Sequence, residues 1–501
     1  MTLENKEAWG SRVGLVLAMA GNAVGLGNFL RFPAQAIQNG GGAFIIPYLV
    51  CFLLMGLPML YVEWATGRFG GKTGNHSTPY IFGSLDKRAI WKYLGVLGLF
   101  TNLGICAYYT YIEAWTMSWA WHSAAGHFMG MNADQVAGFF TSYINLETSE
   151  PILMWVLCVG VNTYILSRGL QKGVEMAAKI GMPLLLLFGV ILAIRGVTMT
   201  AGEQGASFSG VLGLNFLWTP DFSTIWTPKV WLSAAGQIFF TLSLGMGSIH
   251  CYSSYVKPKD DIALNAMSAG WMNEFVEVVL GSAIIIPIAV GYLGIDKVAQ
   301  MTAAGSGLSL GFQTLPYLFT QWGPFLSAAA GIMWFGLLFF AGITSSLAMG
   351  TPGLAFLEDR FGWDRRWAAF AFGGAVLLLG IPCVLSQEAF GEFDYWAGTI
   401  SLVVFSLAEV ILFAWVFGME KGWAEINAGA DIKVPIVFKY VIKYVTPVIL
   451  LVVFVGSLPS IWATIMKPMT FQVALARGLM LGMFLGLLAL VHFSDKRKVT
   501  P

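Results

Sequence analysis

Long apolar stretches joined by short polar connections make up most of the chain. A bilayer-spanning helix needs about 20 predominantly apolar residues. Segments that reach or approach this length lie at about 12–37, 42–69, 89–123, 152–169, 174–195, 229–256, 262–293, 324–357, 366–385, 394–419, 437–459 and 472–493. Several exceed the minimum, which predicts tilt, kinks or projection beyond the bilayer. Two are interrupted. The first reads Gly21-Asn22-Ala23-Val24-Gly25-Leu26-Gly27-Asn28 in its middle. Glycine costs a helix interior about 1 kcal/mol relative to alanine. Backbone released from a helix at membrane depth persists only where it lines a protein cavity. The sixth segment is interrupted in turn: Gln237-Ile238-Phe239-Phe240-Thr241-Leu242-Ser243-Leu244-Gly245-Met246-Gly247-Ser248 places Ser and two Gly in its middle. Interruptions five spans apart predict two five-helix repeats of inverted topology, with a site between their broken helices. The alternative is that the glycines serve only close helix packing.

Composition agrees with an all-α integral membrane protein: 57% of the 501 residues are hydrophobic and 11% charged. The net charge of +1 gives no hint of a nucleic-acid partner. With the N-terminus inside, about 22 of the 28 Lys and Arg residues fall at cytoplasmic positions. They include Arg68, Lys72, Lys87, Arg88 and Lys92, and the stretch 124–151 has neither Lys nor Arg. Both termini are therefore expected in the cytoplasm. The polar start lacks a small-residue cleavage site, so no removable signal peptide is expected. The five cysteines sit in or beside apolar segments without metal-like spacing, and are expected to be reduced. The five histidines do not cluster in sequence, and no nucleophile or nucleotide-binding motif occurs, so no enzyme is expected. The stretch from Asp296 to Gly323 is amphipathic and is left open between a folded outer lid and a surface loop.

Several long stretches identify a relative. They are GNAVGLGNFLRFP at 21–33, NGGGAFIIPY at 39–48, YYTYIEAW at 108–115, GQIFFTLSLGMG at 236–247, FFAGITSS at 339–346 and FDYWAGTI at 393–400. The chain resembles the neurotransmitter:sodium symporter family, most closely its bacterial leucine-transporter branch. The resemblance implies a leucine-transporter-like (LeuT-like) fold of about 12 transmembrane helices, with helices one and six broken. It implies a single transporter domain over 1–501. The five-helix repeats would span 12–195 and 229–419, and two further helices 437–493. It also implies sodium-coupled symport of hydrophobic L-amino acids such as Leu, Met and aromatic residues, by alternating access in the inner (cytoplasmic) membrane. Assembly as a homodimer is left open. A non-transporting, sodium-dependent amino-acid sensor and an ion channel are the rival readings.

Sodium is a hard cation, and this chain offers carbonyls, hydroxyls and amides where clustered carboxylates are lacking. The resemblance implies two Na+ ions. One would be held by the Ala23 carbonyl, Asn28, Asn273 and Thr241, together with the substrate carboxylate. The other would be held by the carbonyls of Gly21, Val24 and Ala341 with the hydroxyls of Thr344 and Ser345. Hydroxyls bonded back to the preceding helical turn are the bland alternative for Thr344 and Ser345. Glu277 stands four residues after Asn273, on the same helix face. The resemblance gives it the negative charge that chloride supplies in other relatives, so transport is expected to be chloride-independent, with proton antiport through Glu277 left open.

A zwitterion needs its two charges met separately, and a helix N-terminus suits the anion. By resemblance the N–H groups of Leu26 and Gly27 and the Tyr109 hydroxyl meet the carboxylate. Carbonyls near Ala23, Phe240 and Thr241, with the Ser243 hydroxyl, meet the ammonium. Monoamine carriers of the family place Asp where this chain has Gly25, which argues for an amino acid. The side-chain pocket would be lined by Ile105, Tyr109, Phe240, Met246, Ser345 and Met349, largely apolar and uncharged. Met246 and Met349 replace the Phe and Ile of the leucine-transporting branch. Flexible methionines suit varied shapes, so a broader pocket is expected. Arg31 and Asp394 resemble the outer gate pair, above Tyr109 and Phe240. Asp359, near Tyr255 and Trp9, resembles the inner-gate carboxylate. Lys6 takes the place of its usual Arg partner and lacks the bidentate fork.

Overall fold

The computed structural model describes residues 7–223, 225–304 and 307–497. Every regular element among them is helical. Ten helices are long and apolar enough to cross a membrane. They are Gly42–Lys72 (span two), Ala89–Ala124 (three), Glu150–Ser167 (four), Leu170–Thr198 (five), Ile262–Leu293 (seven), Pro324–Phe361 (eight), Arg365–Leu385 (nine), Gln387–Asn427 (ten), Val437–Ile465 (eleven) and Phe471–Ser494 (twelve). Span one is the bent pair Arg12–Ala23 and Leu26–Gln38, with 44° between its halves. Span six is also a pair, Pro228–Thr241 and Ser248–Ser254.

The two breaks fall where the glycines and asparagines predict them. In span one only Val24 (ψ 93) and Gly25 (φ −118, ψ −169) leave the helix. In span six the gap runs over 242–247, with Ser243 at φ 54, Gly245 at φ 72 and Gly247 at φ 89. These left-handed positions are open to glycine and costly for serine.

The broken spans occupy the middle of the bundle. Span one packs on spans five, seven and eight, and the inner half of span six on spans two and eight. Span seven's most apolar window is 83% buried, against 17% for spans eleven and twelve, which makes the latter two peripheral. Span seven widens into a π turn at Phe275–Gly281, which carries Glu277. Such turns are frequent at functional sites.

The connections hold more structure than hydropathy predicts. Ala133–Ile144 is a helix started by a reciprocal cap, with Asn132 and Gln135 each accepting the other's N–H at 2.9 Å. Gly210–Trp218 forms another. The stretch after span seven is a folded cover rather than a loose loop: Ile295–Ala304 is helical, and helical turns resume at Gly307. Trp119 and Trp334 donate their indole N–H to the carbonyls of Phe312 (2.9 Å) and Gly311 (3.1 Å), and Gln38 donates to Thr302 O (2.7 Å). All five cysteines are free and buried.

Candidate functional site

A central cavity lies between the breaks. Its lining is Ala23, Gly25, Gly27, Asn28, Ile105, Tyr109, Phe240, Thr241, Ser243, Met246, Ser345 and Met349. Spans one, three, six and eight thus bring together most of the side chains singled out for a substrate. The Tyr109 hydroxyl accepts the Leu26 N–H (3.1 Å) at the start of the outer half of span one. A side chain at Gly25 would be tightly placed. A Cβ there would stand 3.0 Å from both the Ser345 Oγ and the Tyr109 hydroxyl. At Gly27 a Cβ would meet the Phe240 ring at 2.6 Å.

Asn273 sits where oxygens converge. Its amide oxygen lies 3.1 Å from the Ala23 carbonyl and 3.3 Å from the Thr241 carbonyl. Acceptors facing acceptors need either the amide turned over, so that nitrogen donates to both carbonyls, or a cation among them. The donor set of carbonyl, hydroxyl and amide oxygens fits sodium's preference. Asn28 is turned differently from expectation. Its oxygen accepts the Gly25 N–H (2.8 Å), and its nitrogen donates to Asn273 Oδ1 (2.8 Å) and Glu277 Oε2 (3.0 Å). Glu277 also accepts from Gln237 Nε2 (2.6 Å) and from the Thr241 hydroxyl. This carboxylate therefore touches residues of both broken spans.

The second oxygen cluster joins spans one and eight. Ser345 Oγ lies 3.2 Å from both Gly21 O and Ala341 O. Thr344 Oγ1 lies 2.9 Å from Phe340 O and 3.3 Å from Ala341 O, so it does bond back along its own helix. Gly21 packs directly on Thr344, and an added Cβ would meet its Cβ at 2.8 Å. Val24 adjoins this cluster on the chain; its N–H bonds to Ala20 O (2.6 Å).

On one side of the cavity a vestibule of about 380 Å³, the outer one in the expected orientation, is lined by Arg31, Asp394, Tyr108, Tyr109 and Phe240 among others. Tyr109, Phe240 and Gly27 line both spaces and separate them. Arg31 and Asp394 share the vestibule without forming an ion pair. The Arg31 guanidinium carbon stands 4.5 Å from the centre of the Phe240 ring, a cation–π contact. On the opposite side a vestibule of about 930 Å³, the inner one in the expected orientation, is lined by Tyr255, Asp359, His76 and Ser254 among others. Asp359 accepts the His76 N–H (3.0 Å), and the His76 and Tyr255 rings stack at 4.1 Å. Trp9 Nε1 donates to Tyr252 O (3.0 Å). Lys6 lies outside the described residues.

Sequence reading offers Glu63, an acid inside span two, as a structural bond to the broken helices at least as much as an ion group, and it misses Asn102 and Gln237. Glu63 Oε1 accepts the Gly245 N–H (2.7 Å) inside the second break. Asn102 donates to Met246 O (2.6 Å). Gln237 holds Glu277. An ionisable or amide group inside an apolar segment was the available signal, but its partner is set by packing.

A helical bundle with two broken spans around a central cavity, apolar in the main and polar at the breaks, with vestibules on either side, defines a multi-pass membrane transporter of the LeuT-like fold. Residues 6–134 and 144–495 match the model of the sodium:neurotransmitter symporter family, and the chain belongs to that family. An uncharacterized sodium-dependent transporter of Methanocaldococcus jannaschii is 32% identical, over 90% of each chain. Sodium-dependent nutrient amino acid transporter 1 of Drosophila melanogaster is 24% identical, over 90% of this chain and 77% of its own. The crystal structure of MhsT in complex with L-phenylalanine superposes with a TM-score of 0.78 at 28% identity, covering 90% of this chain and all of that one. The chain is thus a sodium-dependent transporter and not an enzyme.

Proposed function

We propose that the chain is a chloride-independent symporter coupling two Na+ ions to one hydrophobic L-amino acid. The observation that carries the reading is the lining of the central cavity: apolar and uncharged around Ile105, Met246 and Met349, polar where the two breaks expose backbone. The first sodium would lie among Ala23, Thr241, Asn273 and Asn28, with Asn28's amide turned from its present orientation. The second would lie among Gly21, Val24, Ala341, Thr344 and Ser345. The substrate carboxylate would take the N–H groups of Leu26 and Gly27 in place of Tyr109's contact. Its ammonium would meet Ala23, Phe240, Thr241 and Ser243. MhsT's phenylalanine and the insect nutrient amino acid transporters favour a substrate of this class.

Chloride independence rests on Glu277, whose carboxylate already stands beside the first cluster. Sodium and substrate bind from the outer vestibule, stabilise an occluded state beneath Arg31, Asp394, Tyr109 and Phe240, and leave through the inner vestibule past Tyr255 and Asp359. A ligand can drive this cycle only by binding its states unequally. We place the protein in the cytoplasmic membrane with both termini inside, and take 12–195 and 229–419 as its inverted repeats. Reconstituted in proteoliposomes under an inward sodium gradient, it should accumulate Leu, Met or aromatic amino acids, unchanged when gluconate replaces chloride. Sodium-dependent binding without accumulation of any amino acid would overturn transport and leave a sensor.

A further inference from the structure

One buried cluster lies outside both sodium sets and the substrate lining. Glu63 of span two, His250 of span six and Glu409 of span ten are each fully buried. His250 Nε2 lies 2.8 Å from Glu409 Oε1, and its Nδ1 lies 3.5 Å from Glu63 Oε2. The rings of Phe82 and Phe405 meet the imidazole edge-on, each 5.8 Å away, and hold it between the carboxylates. The free oxygen edge of Glu63 faces His250 while its other oxygen holds Gly245 N–H. With a neutral imidazole and two carboxylates the cluster would carry a charge of −2. Buried charge is costly unless paired, and such groups neutralise instead. Two protons restore neutrality.

We propose that Glu63, His250 and Glu409 form a buried proton site, whose proton occupancy changes as the inner half of span six moves during transport. The inference rests on the transport reading above. The geometry favours protons over a metal ion. The two ring nitrogens face different carboxylates at ion-pair distance, and neither the nitrogens nor the facing oxygens have an aligned hydrogen bond. One ligand atom from each residue lies within 4.8 Å of the others, but the 2.8 Å between Nε2 and Glu409 is shorter than the roughly 3.3 Å between two ligands held tetrahedrally at about 2.0–2.2 Å from a zinc-like ion.

The site also has an exit. Ser254, one helical turn beyond His250, lines the inner vestibule together with Gly71 of span two. Span two approaches closely here, because a Cβ on Gly67 would collide with the His250 carbonyl and the Ser253 hydroxyl. A small shift of the inner half opens this seam to water. The proton then passes from the imidazole or a carboxylic acid to vestibule water, and the remaining charge is hydrated. While the seam is closed, deprotonation would strand a charge in the core. Loss of charge balance would also disturb the Glu63 bond to Gly245, which ties the proton site to the break.

The other titratable groups around this half-helix are accounted for. Arg68 of span two is paired with Glu425 at 2.8 Å and donates to the carbonyls of Asp260 and Ala428. Glu358, Asp359 and Arg365 of spans eight and nine act on Cys251 at the helix's inner end. His76 stacks on Tyr255. Cys251 and Tyr252 are the titratable neighbours on its own helix. Glu63 and Glu409 are the groups that face His250.

The test is proton exchange by the purified full-length chain in weak buffer, with indicator dyes that span the acid to weakly alkaline range. Saturating sodium and amino acid are added, and protons exchanged per bound amino acid are measured. Wild type should exchange protons. His250→Asn and Glu409→Gln should each lose at least half of that exchange while keeping sodium-dependent binding. No exchange by wild type, or the full exchange persisting in both variants, would overturn the proposal. So would stoichiometric zinc in the purified protein. If neither variant binds, infrared difference spectra of wild type decide. A carboxylic-acid or imidazole band that responds to sodium and amino acid supports the site, and its absence sinks it. Failure of wild type to bind any amino acid counts against the transport reading; binding without proton exchange counts against the triad alone.

Discussion

The two breaks solve one geometric problem by different means. Span one leaves the helix for just Val24 and Gly25, without a positive φ, and restarts at once. Asn28 meets the Gly25 N–H from within the same span, and a single outside group, Tyr109 of span three, takes the Leu26 N–H. Span six stays out of the helix over 242–247 and uses three left-handed residues. It is held from outside, by Glu63 on Gly245, Asn102 on Met246, and Ser243 bonded to Asn22 O at 2.7 Å. The shorter break presents backbone to ligands. The longer one needs braces from neighbouring spans, and its shape depends on them. Damage at the first should therefore read out as lost binding, and damage at the braces of the second as lost stability.

The harshest test of that division is Gly25→Asp. Its Cβ would press on Ser345 and Tyr109. These side chains need give by only a few tenths of an ångström, whereas the new carboxylate would repel the substrate's own. Amino-acid affinity should fall about 100-fold or more, with the melting temperature in detergent changed far less. Retained affinity by equilibrium binding would remove the carboxylate site from the first break. Glu63→Ala probes the other side. It leaves the buried Gly245 N–H unpaired, at about 1–3 kcal/mol. Thermal unfolding in detergent should shift down accordingly; a melting temperature equal to wild type would show that the brace is dispensable. Asn28→Ala comes next. Loss of one oxygen ligand should raise the sodium concentration for half-maximal binding about tenfold, or roughly 1.4 kcal/mol. An unchanged sodium titration would remove Asn28 from the ligand set.

The positions of the breaks were legible because glycine and asparagine are poor choices inside an apolar helix, whatever surrounds them. The cavity-lining residues were legible through family motifs around those breaks. What holds the breaks was legible only in part: an acid inside an apolar span, Glu63, pointed to a bond to the broken helices but not to its partner. Glu63 and Gly245 are far apart in sequence, and no local pattern pairs them. The π turn that carries Glu277 is likewise set by tertiary packing. His250 looked isolated among five scattered histidines, and its partners come from spans two and ten. The orientation of the Asn28 amide, with nitrogen toward Glu277, follows from hydrogen bonds that residue identity alone leaves open. The outer pair shows the same limit: Arg31 and Asp394 reach one vestibule, yet Arg31 rests on Phe240 instead of the carboxylate.

The smallest expected effect separates backbone strain from hydrogen bonding within the second break. Ser243 adopts φ 54, and its hydroxyl bonds to Asn22 O, linking the two breaks. A left-handed conformation costs a non-glycine residue about 1 kcal/mol. A hydrogen bond of this kind contributes about 1 kcal/mol. Ser243→Ala keeps the strain and loses the bond, so it should destabilise by about 1 kcal/mol. Ser243→Gly loses the bond but also sheds the strain, so it should lie near wild type. The ordering, Gly above Ala, is measured by parallel thermal melts in detergent with sodium present. Equal melting temperatures for the two variants would mean that the left-handed turn exerts no strain on the folded protein, and that Ser243 serves the break through its hydroxyl alone.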